Sequence, residues 1–147
     1  MQFLQARFED LEPEGPFDAV IGSSVLHHLD LDEALARIAT VLPSGGRFSF
    51  AEPNMLNPQI FAERHVDYVR KRLHVSPDET AFVRWTLART LARAGFTDIR
   101  IVPFDWLHPF TPAPCIPIVQ ALGRCLEAIP FAREFSGSLQ IACVRRS

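Results

Sequence analysis

The sequence lacks the features that identify membrane, secreted or disulfide-bonded proteins. Its three cysteines form no C-x-x-C pair, which argues against a disulfide framework or a zinc site and favours the reducing cytoplasm. Proline, glycine or arginine interrupts each apolar stretch well before the roughly 20 residues that a membrane span needs. The N-terminal segment MQFLQARFED has no long apolar run, so it does not resemble a signal peptide. We therefore expect a cytoplasmic protein without a membrane span.

Charge and motif content exclude further classes of function. The formal net charge is −2, so no overall basic field predicts a nucleic-acid partner. The five histidines show no H-x-x-x-H spacing, and the adjacent His27 and His28 are expected to point in different directions, so no metal site is predicted. Ser24 lies in Gly22-Ser-Ser-Val-Leu26, which lacks the second glycine of a G-x-S-x-G nucleophile elbow. A serine hydrolase is therefore disfavoured.

The first half of the chain predicts a strand, a helix and a second strand. FDAVIG, residues 17–22, is a short apolar run typical of a strand covered on both faces. Asp30 and Glu33 are spaced as a helix cap before residues 31–42, and Gly45-Gly46 supplies a turn. RFSFAE, residues 47–52, then reads as the next strand. Short connections of this kind predict a βαβ unit with parallel strands.

The second half predicts further helices and strands. Asn57-Pro58 can open a helix, and the capping-box spacing of Ser76 and Glu79 predicts another helix that ends at Ala94. Gly95 fits a left-handed cap. Residues 97–104 are expected to form a strand, which Pro103 marks as an edge strand or a strand end. A helix over residues 117–129 and a closing strand over residues 138–146 follow.

The order of these segments resembles the latter part of a class I S-adenosylmethionine-dependent methyltransferase. FDAVIGSSVLHHL, VLPSGGRFSFAEP and LARAGF, at residues 17–29, 41–53 and 91–96, carry the resemblance. The resemblance implies an α/β fold: a partial, Rossmann-like, three-layer α/β/α sheet that lacks the first strands. It also implies a single domain over residues 1–147, equivalent to the C-terminal two thirds of such a domain.

The resemblance implies S-adenosylmethionine as the cofactor, but one expected motif is missing. The family's first strand with its Gly-rich loop has no counterpart, since no G-x-G-x-x-G occurs. By resemblance, that segment holds the methionine part and the ribose of the cofactor. Ser44 also stands where the family has proline directly before Gly-Gly, a departure that we expect to be harmless. Methyl transfer by this short chain is therefore expected to be impaired.

Candidate site residues follow the first predicted strand, at the edge where ligands bind in open α/β sheets. Ser23, Ser24 and His28 are candidates for contact with the cofactor, through two hydroxyls and an imidazole. The alternative is a loop that satisfies its own backbone. Phe8, in ARFEDL at residues 6–11, either stacks on the adenine, as the resemblance suggests, or belongs to the core.

The catalytic candidates are His28 and Glu52, because a general base is needed where the acceptor must lose a proton. Glu52 ends the second strand and could also orient a hydroxyl, cap a helix or pair with an arginine. Much of the catalysis of an in-line methyl transfer can be positioning.

Two functions remain open at this stage. The first is methyl transfer to a small acceptor, for which an apolar compound is one candidate. The aromatic segment FDWLHPFTPAPCI, residues 104–116, together with Phe131 and Phe135, either lines a pocket for it or forms core and exposed surface. The second is a non-catalytic interaction module that pairs, as a homodimer or with a partner, through an exposed sheet edge.

Overall fold

A computed structural model describes residues 5–10, 15–73, 76, 79–108 and 110–146. A mixed sheet of four strands forms the centre, with β1 at Ala19–Ser23, β2 at Arg47–Pro53, β3 at Phe96–Phe104 and β4 at Ser138–Arg145, in the order β1-β2-β4-β3. The six α-helices of the described residues are α1 Leu31–Val41, α2 Pro58–His65, α3 Asp67–Leu73, α4 Arg84–Arg93, α5 Ile116–Glu127 and α6 Pro130–Arg133.

The predicted βαβ unit is present as β1, α1 and β2. Strands β1 and β2 are parallel. The Asp30 side chain caps α1 by accepting a hydrogen bond of 3.0 Å from the Glu33 N–H. After α1, Gly45 turns the chain with a φ of +82°, a backbone conformation that a residue without Cβ adopts at little cost. The local signals read from the sequence therefore produce the expected elements here.

The last strand of the chain lies inside the sheet. Strand β4 pairs antiparallel with β2 on one side and with β3 on the other. Strand β3 is consequently an edge strand, as Pro103 suggested. A register shift between Thr97 and Arg100 interrupts its pairing, and Asp98 there has a φ of +51°. Burial alternates along β4, with Leu139, Ile141 and Cys143 buried on one face, and the place of this strand in the sheet was not predicted.

One face of the sheet carries the main hydrophobic core. Phe48 and Phe50 of β2 are in register with Cys143 and Ile141 of β4, and these side chains pack with buried residues of α1 and α4. We call this the packed face. Leu35 of α1 and Leu91 of α4 belong to this core and are 0% exposed. Burial of these apolar side chains is the main favourable term that holds the helices on the sheet.

The opposite face, which we call the open face, is only partly covered. An open depression of about 630 Å³ lies along it, lined by β1, β2, β4 and Phe104. Ile21 of β1 is 78% exposed beside this depression. Helix α5 lies next to Phe104, with which it shares a smaller cavity. The Rossmann-like α/β sheet that the sequence predicts is thus confirmed as a partial fold.

The helix predicted from Ser76 to Ala94 is shorter than expected. Its capping-box residues do interact, because the Ser76 N–H donates to Glu79 Oε1 at 3.3 Å, but α4 begins at Arg84. Between them, Phe82 forms a parallel bridge with Asn54, and the Phe82 N–H donates to the Pro53 carbonyl. Pairing with the end of β2 therefore replaces helix formation in this segment.

Two further local predictions hold. Asn57 caps α2 by accepting hydrogen bonds from the Gln59 and Ile60 N–H groups, and Gly95 ends the α4 segment with a φ of +86°. Near the start of the described residues, Phe8–Asp10 form a 3-10 turn. Among the helices of the described part of the chain, none has the length and apolar character to span a bilayer.

The burial of the three cysteines predicts their reactivity. Cys143 is buried in β4, and burial raises the pKa of its thiol to about 12, whereas Cys115 and Cys125 are exposed. Because the thiolate is the reactive form, an aromatic disulfide reagent should label two cysteines rapidly in the native chain and all three in denaturant. Rapid labelling of Cys143 in the native chain would contradict the packing described here.

Candidate functional site

The carboxyl ends of β1 and β2 meet at one edge of the sheet. Ser23 is in register with Ala51, and the Ser24 N–H donates to the Ala51 carbonyl at 2.8 Å, which extends the pairing by one residue. Pro53 ends β2 at the same level. The polar residues that follow the two strands therefore open on the same side of the molecule, where open α/β sheets bind ligands.

Ser24 turns the chain out of β1 in an unusual conformation. Its φ is +53°, in the left-handed region that residues with a Cβ seldom occupy. Ser23 and Ser24 are both exposed at this edge. Strained backbone of this kind costs on the order of 1–3 kcal/mol and persists only where the surroundings fix it.

The fixing group is Glu52, whose side chain is buried rather than directed at a ligand. Glu52 is 1% exposed. Its Oε1 accepts hydrogen bonds from the Val25 and Leu26 N–H groups at 3.0 and 2.9 Å. Its Oε2 lies 3.4 Å from the His27 amide nitrogen and 2.8 Å from His27 Nδ1. Both oxygens are thus occupied by the 3-10 turn at Leu26–His28.

This environment corrects the expectation for Glu52. A carboxylate with two filled oxygens and almost no solvent contact has no atom left for a substrate proton. Glu52 caps a turn, which is close to the helix-capping alternative given above. This turn lies about 26 residues before Glu52 in the sequence. Glu52 is therefore a positioning residue, which holds the backbone that carries Ser23, Ser24 and His28.

The two adjacent histidines do not diverge as expected. Their ring centroids are 3.9 Å apart with the planes tilted by 40°. His27 is buried and held by Glu52, whereas His28 is exposed at the edge of the site. If His27 Nδ1 donates a hydrogen bond to the Glu52 carboxylate, Nε2 of a neutral His27 ring carries no proton.

Glu79 lies beside this histidine pair. Potential ligand atoms of His27, His28 and Glu79 lie within 4.8 Å of one another, but Glu79 Oε2 is already 2.5 Å from Arg64 Nη1. Partial burial raises the pKa of the Glu79 carboxyl, but hydrogen bonds from Arg64 and Ser76 and the Arg64 and His28 charges outweigh it, so this pKa lies below its usual value. The expectation that the chain holds no metal stays a prediction.

Phe8 is half-buried and packs against the main hydrophobic core. This contact fits the alternative in which its ring is part of the core. Contact with an adenine ring stays a prediction for this residue, as do the ligand contacts of Ser23, Ser24 and His28.

A second cavity, of about 200 Å³, adjoins the strand ends; we call it the edge cavity. Helix α2 and the loop after β3 form most of its wall. The lining residues are Ser24, Pro53, Asn57, Gln59, Ile60, Glu63, Arg64, Trp106, Leu107, His108, Gly137 and Ser138. Trp106 and His108 belong to the aromatic segment that the sequence marked, whereas Phe131 and Phe135 do not line this cavity. Glu63 and Arg64 were not predicted, because their helix positions carry no motif.

Comparisons with known proteins agree with this geometry. Residues 1–50 match the family model described as a methyltransferase domain. A search of curated proteins found no match. The predicted resemblance to class I S-adenosylmethionine-dependent methyltransferases is confirmed by this match together with the fold of the solved structures that follow.

Three solved structures illustrate the fold. A methyltransferase from Thermotoga maritima, described as a possible histamine N-methyltransferase, has a TM-score of 0.66 at 15% identity, over 97% of this chain and 63% of that one. The complex of the Haloferax volcanii Trm112 activator with a methyltransferase has a TM-score of 0.63 at 21% identity, over 99% of this chain and 62% of that one. The N-methyltransferase NodS from Bradyrhizobium japonicum, solved with S-adenosylhomocysteine, has a TM-score of 0.53 at 14% identity, over 97% of this chain and 53% of that one. The chain spans less than two thirds of each.

The role assigned to Glu52 predicts a loss of stability when its acceptors are removed. Glu52→Ala leaves buried N–H groups of the 25–27 segment without a partner, and we expect it to lower the free energy of unfolding by about 3 kcal/mol. Glu52→Gln keeps one acceptor oxygen and should cost less. Urea unfolding followed by circular dichroism measures both changes.

The matched control is Glu33→Gln, an exposed carboxylate of α1, which should change stability by less than about 0.5 kcal/mol. If Glu52→Ala unfolds at the same urea concentration as the unmodified chain, Glu52 does not anchor the turn.

Proposed function

We propose that this chain is part of an enzyme that transfers a methyl group from S-adenosylmethionine to a small acceptor. The observation that carries the proposal is the meeting of the β1 and β2 ends beside the edge cavity, in a methyltransferase-type fold. A cofactor and an acceptor must lie next to one another, and this edge offers an exposed polar loop next to a cavity.

The residues present fit one side of such a cofactor. Ser23, Ser24 and His28 are exposed and polar, on a loop whose backbone Glu52 holds. The Gly-rich loop that the family resemblance places against the other side is absent from this sequence. We therefore propose that residues 1–147 form a single domain of partial methyltransferase type and bind the cofactor weakly.

The chemistry needs little from the protein beyond positioning. The cofactor supplies a methyl group on a positively charged sulfur, which is ready for displacement. The loop at residues 23–28 would orient that group toward the edge cavity, and alignment of the reacting atoms can supply much of the rate increase. His28 is the proposed proton acceptor, because its imidazole is exposed at this edge and an imidazole nitrogen can accept a proton. Three free cysteines fit a reducing compartment, and we propose the cytoplasm.

Calorimetric titration with S-adenosylmethionine and with S-adenosylhomocysteine tests this proposal. We expect binding weaker than about 0.1 mM, because one wall of the site is missing. Ser23→Ala combined with Ser24→Gly should weaken it several-fold, since the glycine keeps the left-handed backbone and the hydroxyls are lost. Thr86→Ala, on the exposed side of α4, is the control. No detectable binding of either nucleoside at millimolar concentration would oppose the proposal.

A second candidate function is a non-catalytic module that pairs with another copy through β1. Among the described strands, β1 pairs only with β2, which leaves a strand edge unpaired, and Ile21 is 78% exposed next to it. Unpaired edges of this kind favour pairing with another chain.

Sedimentation across a range of protein concentrations distinguishes the second candidate. A pairing module should approach the mass of two chains, and Ile21→Lys should shift it back toward one, because a charge on an edge strand opposes pairing. Tyr68→Lys, at an exposed position of α3, should have no effect. A single-chain mass at all concentrations would exclude pairing through β1.

A further inference from the structure

We propose that the edge cavity binds a small amine as the methyl acceptor, and that the Glu63 carboxylate holds it. This inference rests on the methyl-transfer function proposed above, and it names the class of acceptor. The position, size, charge and free hydrogen-bonding capacity of the cavity favour this class of acceptor.

The position and size of the cavity limit what it can hold. Ser24 and Pro53, at the ends of β1 and β2, form part of its wall, so a bound molecule lies beside the loop assigned to the cofactor. Its volume of about 200 Å³ is below the range of about 300–1,000 Å³ typical of sites for drug-sized ligands. A small acceptor is therefore expected.

Three ionisable side chains line the cavity, and two of them carry no net charge into it. The Arg64 guanidinium is paired with Glu79 at 2.5 Å, and Glu79 is not a lining residue. His108 Nδ1 lies 3.2 Å from the Phe110 N–H and accepts its hydrogen bond, which requires an unprotonated Nδ1. The His108 imidazole is then neutral, with its proton on Nε2.

Glu63 supplies the remaining charge. Gln59 Nε2 donates to Glu63 Oε1 at 3.1 Å, and His108 Nε2 lies 3.3 Å from the same oxygen. Among the described residues, no hydrogen bond or ion pair is made to Glu63 Oε2. The side chain is 14% exposed, so this oxygen is a partly desolvated, negatively charged acceptor with free capacity.

An ammonium group matches this oxygen better than other acceptor groups do. It donates hydrogen bonds and carries the opposite charge, and charge-assisted hydrogen bonds are about twice as strong as neutral ones. A carboxylate would be repelled, and an alcohol would lack the charge. Ile60, Leu107 and the Trp106 ring add apolar wall for the carbon part of the amine, and an aromatic ring attracts a nearby cation.

The corresponding transfer balances in atoms and charge. The bound ammonium first gives one proton to a base, for which His28 is the candidate. The nitrogen lone pair then forms a bond to the methyl carbon as the carbon–sulfur bond breaks, and that bond's electron pair returns to sulfur. The products are an N-methylammonium ion and the neutral thioether S-adenosylhomocysteine.

The test uses Trp106 as a reporter, since the chain has two tryptophans and Trp85→Phe removes the other. In this background, phenethylamine, 2-phenylethanol and 3-phenylpropionate are titrated at pH 7 while the indole N–H resonance of Trp106 is followed. Phenethylamine should shift it saturably, with an affinity about tenfold or more above that of the alcohol, and the carboxylate should have no effect.

Glu63→Gln should reduce the affinity for phenethylamine to that of the alcohol, while Glu33→Gln should leave it unchanged. Thermal unfolding of both variants establishes that they are folded. Equal shifts by the amine and the alcohol, or an unchanged amine affinity in Glu63→Gln, would overturn the inference.

The amine titration contains no cofactor, so the two proposals fail separately. Amine binding without any binding of S-adenosylmethionine would retain the amine site and reject methyl transfer. Cofactor binding without selective amine binding would retain methyl transfer and reject the amine as acceptor.

Discussion

The candidate site depends on the contact between one buried carboxylate and the backbone of a neighbouring turn. Glu52 stands on a rigid central position of the sheet, and it accepts hydrogen bonds from successive amides of residues 25–27 as well as from the His27 ring. A buried acid is costly unless it is fully hydrogen-bonded, and here the turn supplies the donors that it needs. The turn, in exchange, gains a fixed position relative to β2, so the exposed side chains on it have a defined place.

Other buried contacts extend this rigid layer around the site. The Thr80 N–H and hydroxyl both donate to the His27 carbonyl, which ties the segment before α4 to the same turn. On the other side, the Asn54 amide donates to the carbonyls of Glu134 and Ser136, some 80 residues away. The edge of the sheet is therefore held by buried polar groups, while Ser23, Ser24 and His28 are exposed.

Features that depend on residues close together in the sequence were predicted correctly, whereas features that depend on distant parts of the chain were not. Caps at Asp30 and Asn57 and the left-handed Gly95 act within a few residues, and each was correct. The capping-box residues Ser76 and Glu79 also interact, yet pairing of Phe82 with the end of β2 overrode the helix that they indicate. The role of Glu52 and the position of Glu63 in a cavity depend on partners from distant parts of the chain, for which local sequence patterns carry no signal.

The central position of β4 has a consequence for how the chain reaches its folded state. Residues 138–145 separate β2 from β3 in the sheet, but they follow both strands in the chain, so the ribosome makes them after both. Until they emerge, β3 has no neighbouring strand with which to pair, and the nascent chain carries two incomplete strand edges. Completion of the sheet is therefore a late, non-local event, which slows folding relative to folds with local contacts and leaves a period in which chaperone binding would protect those edges.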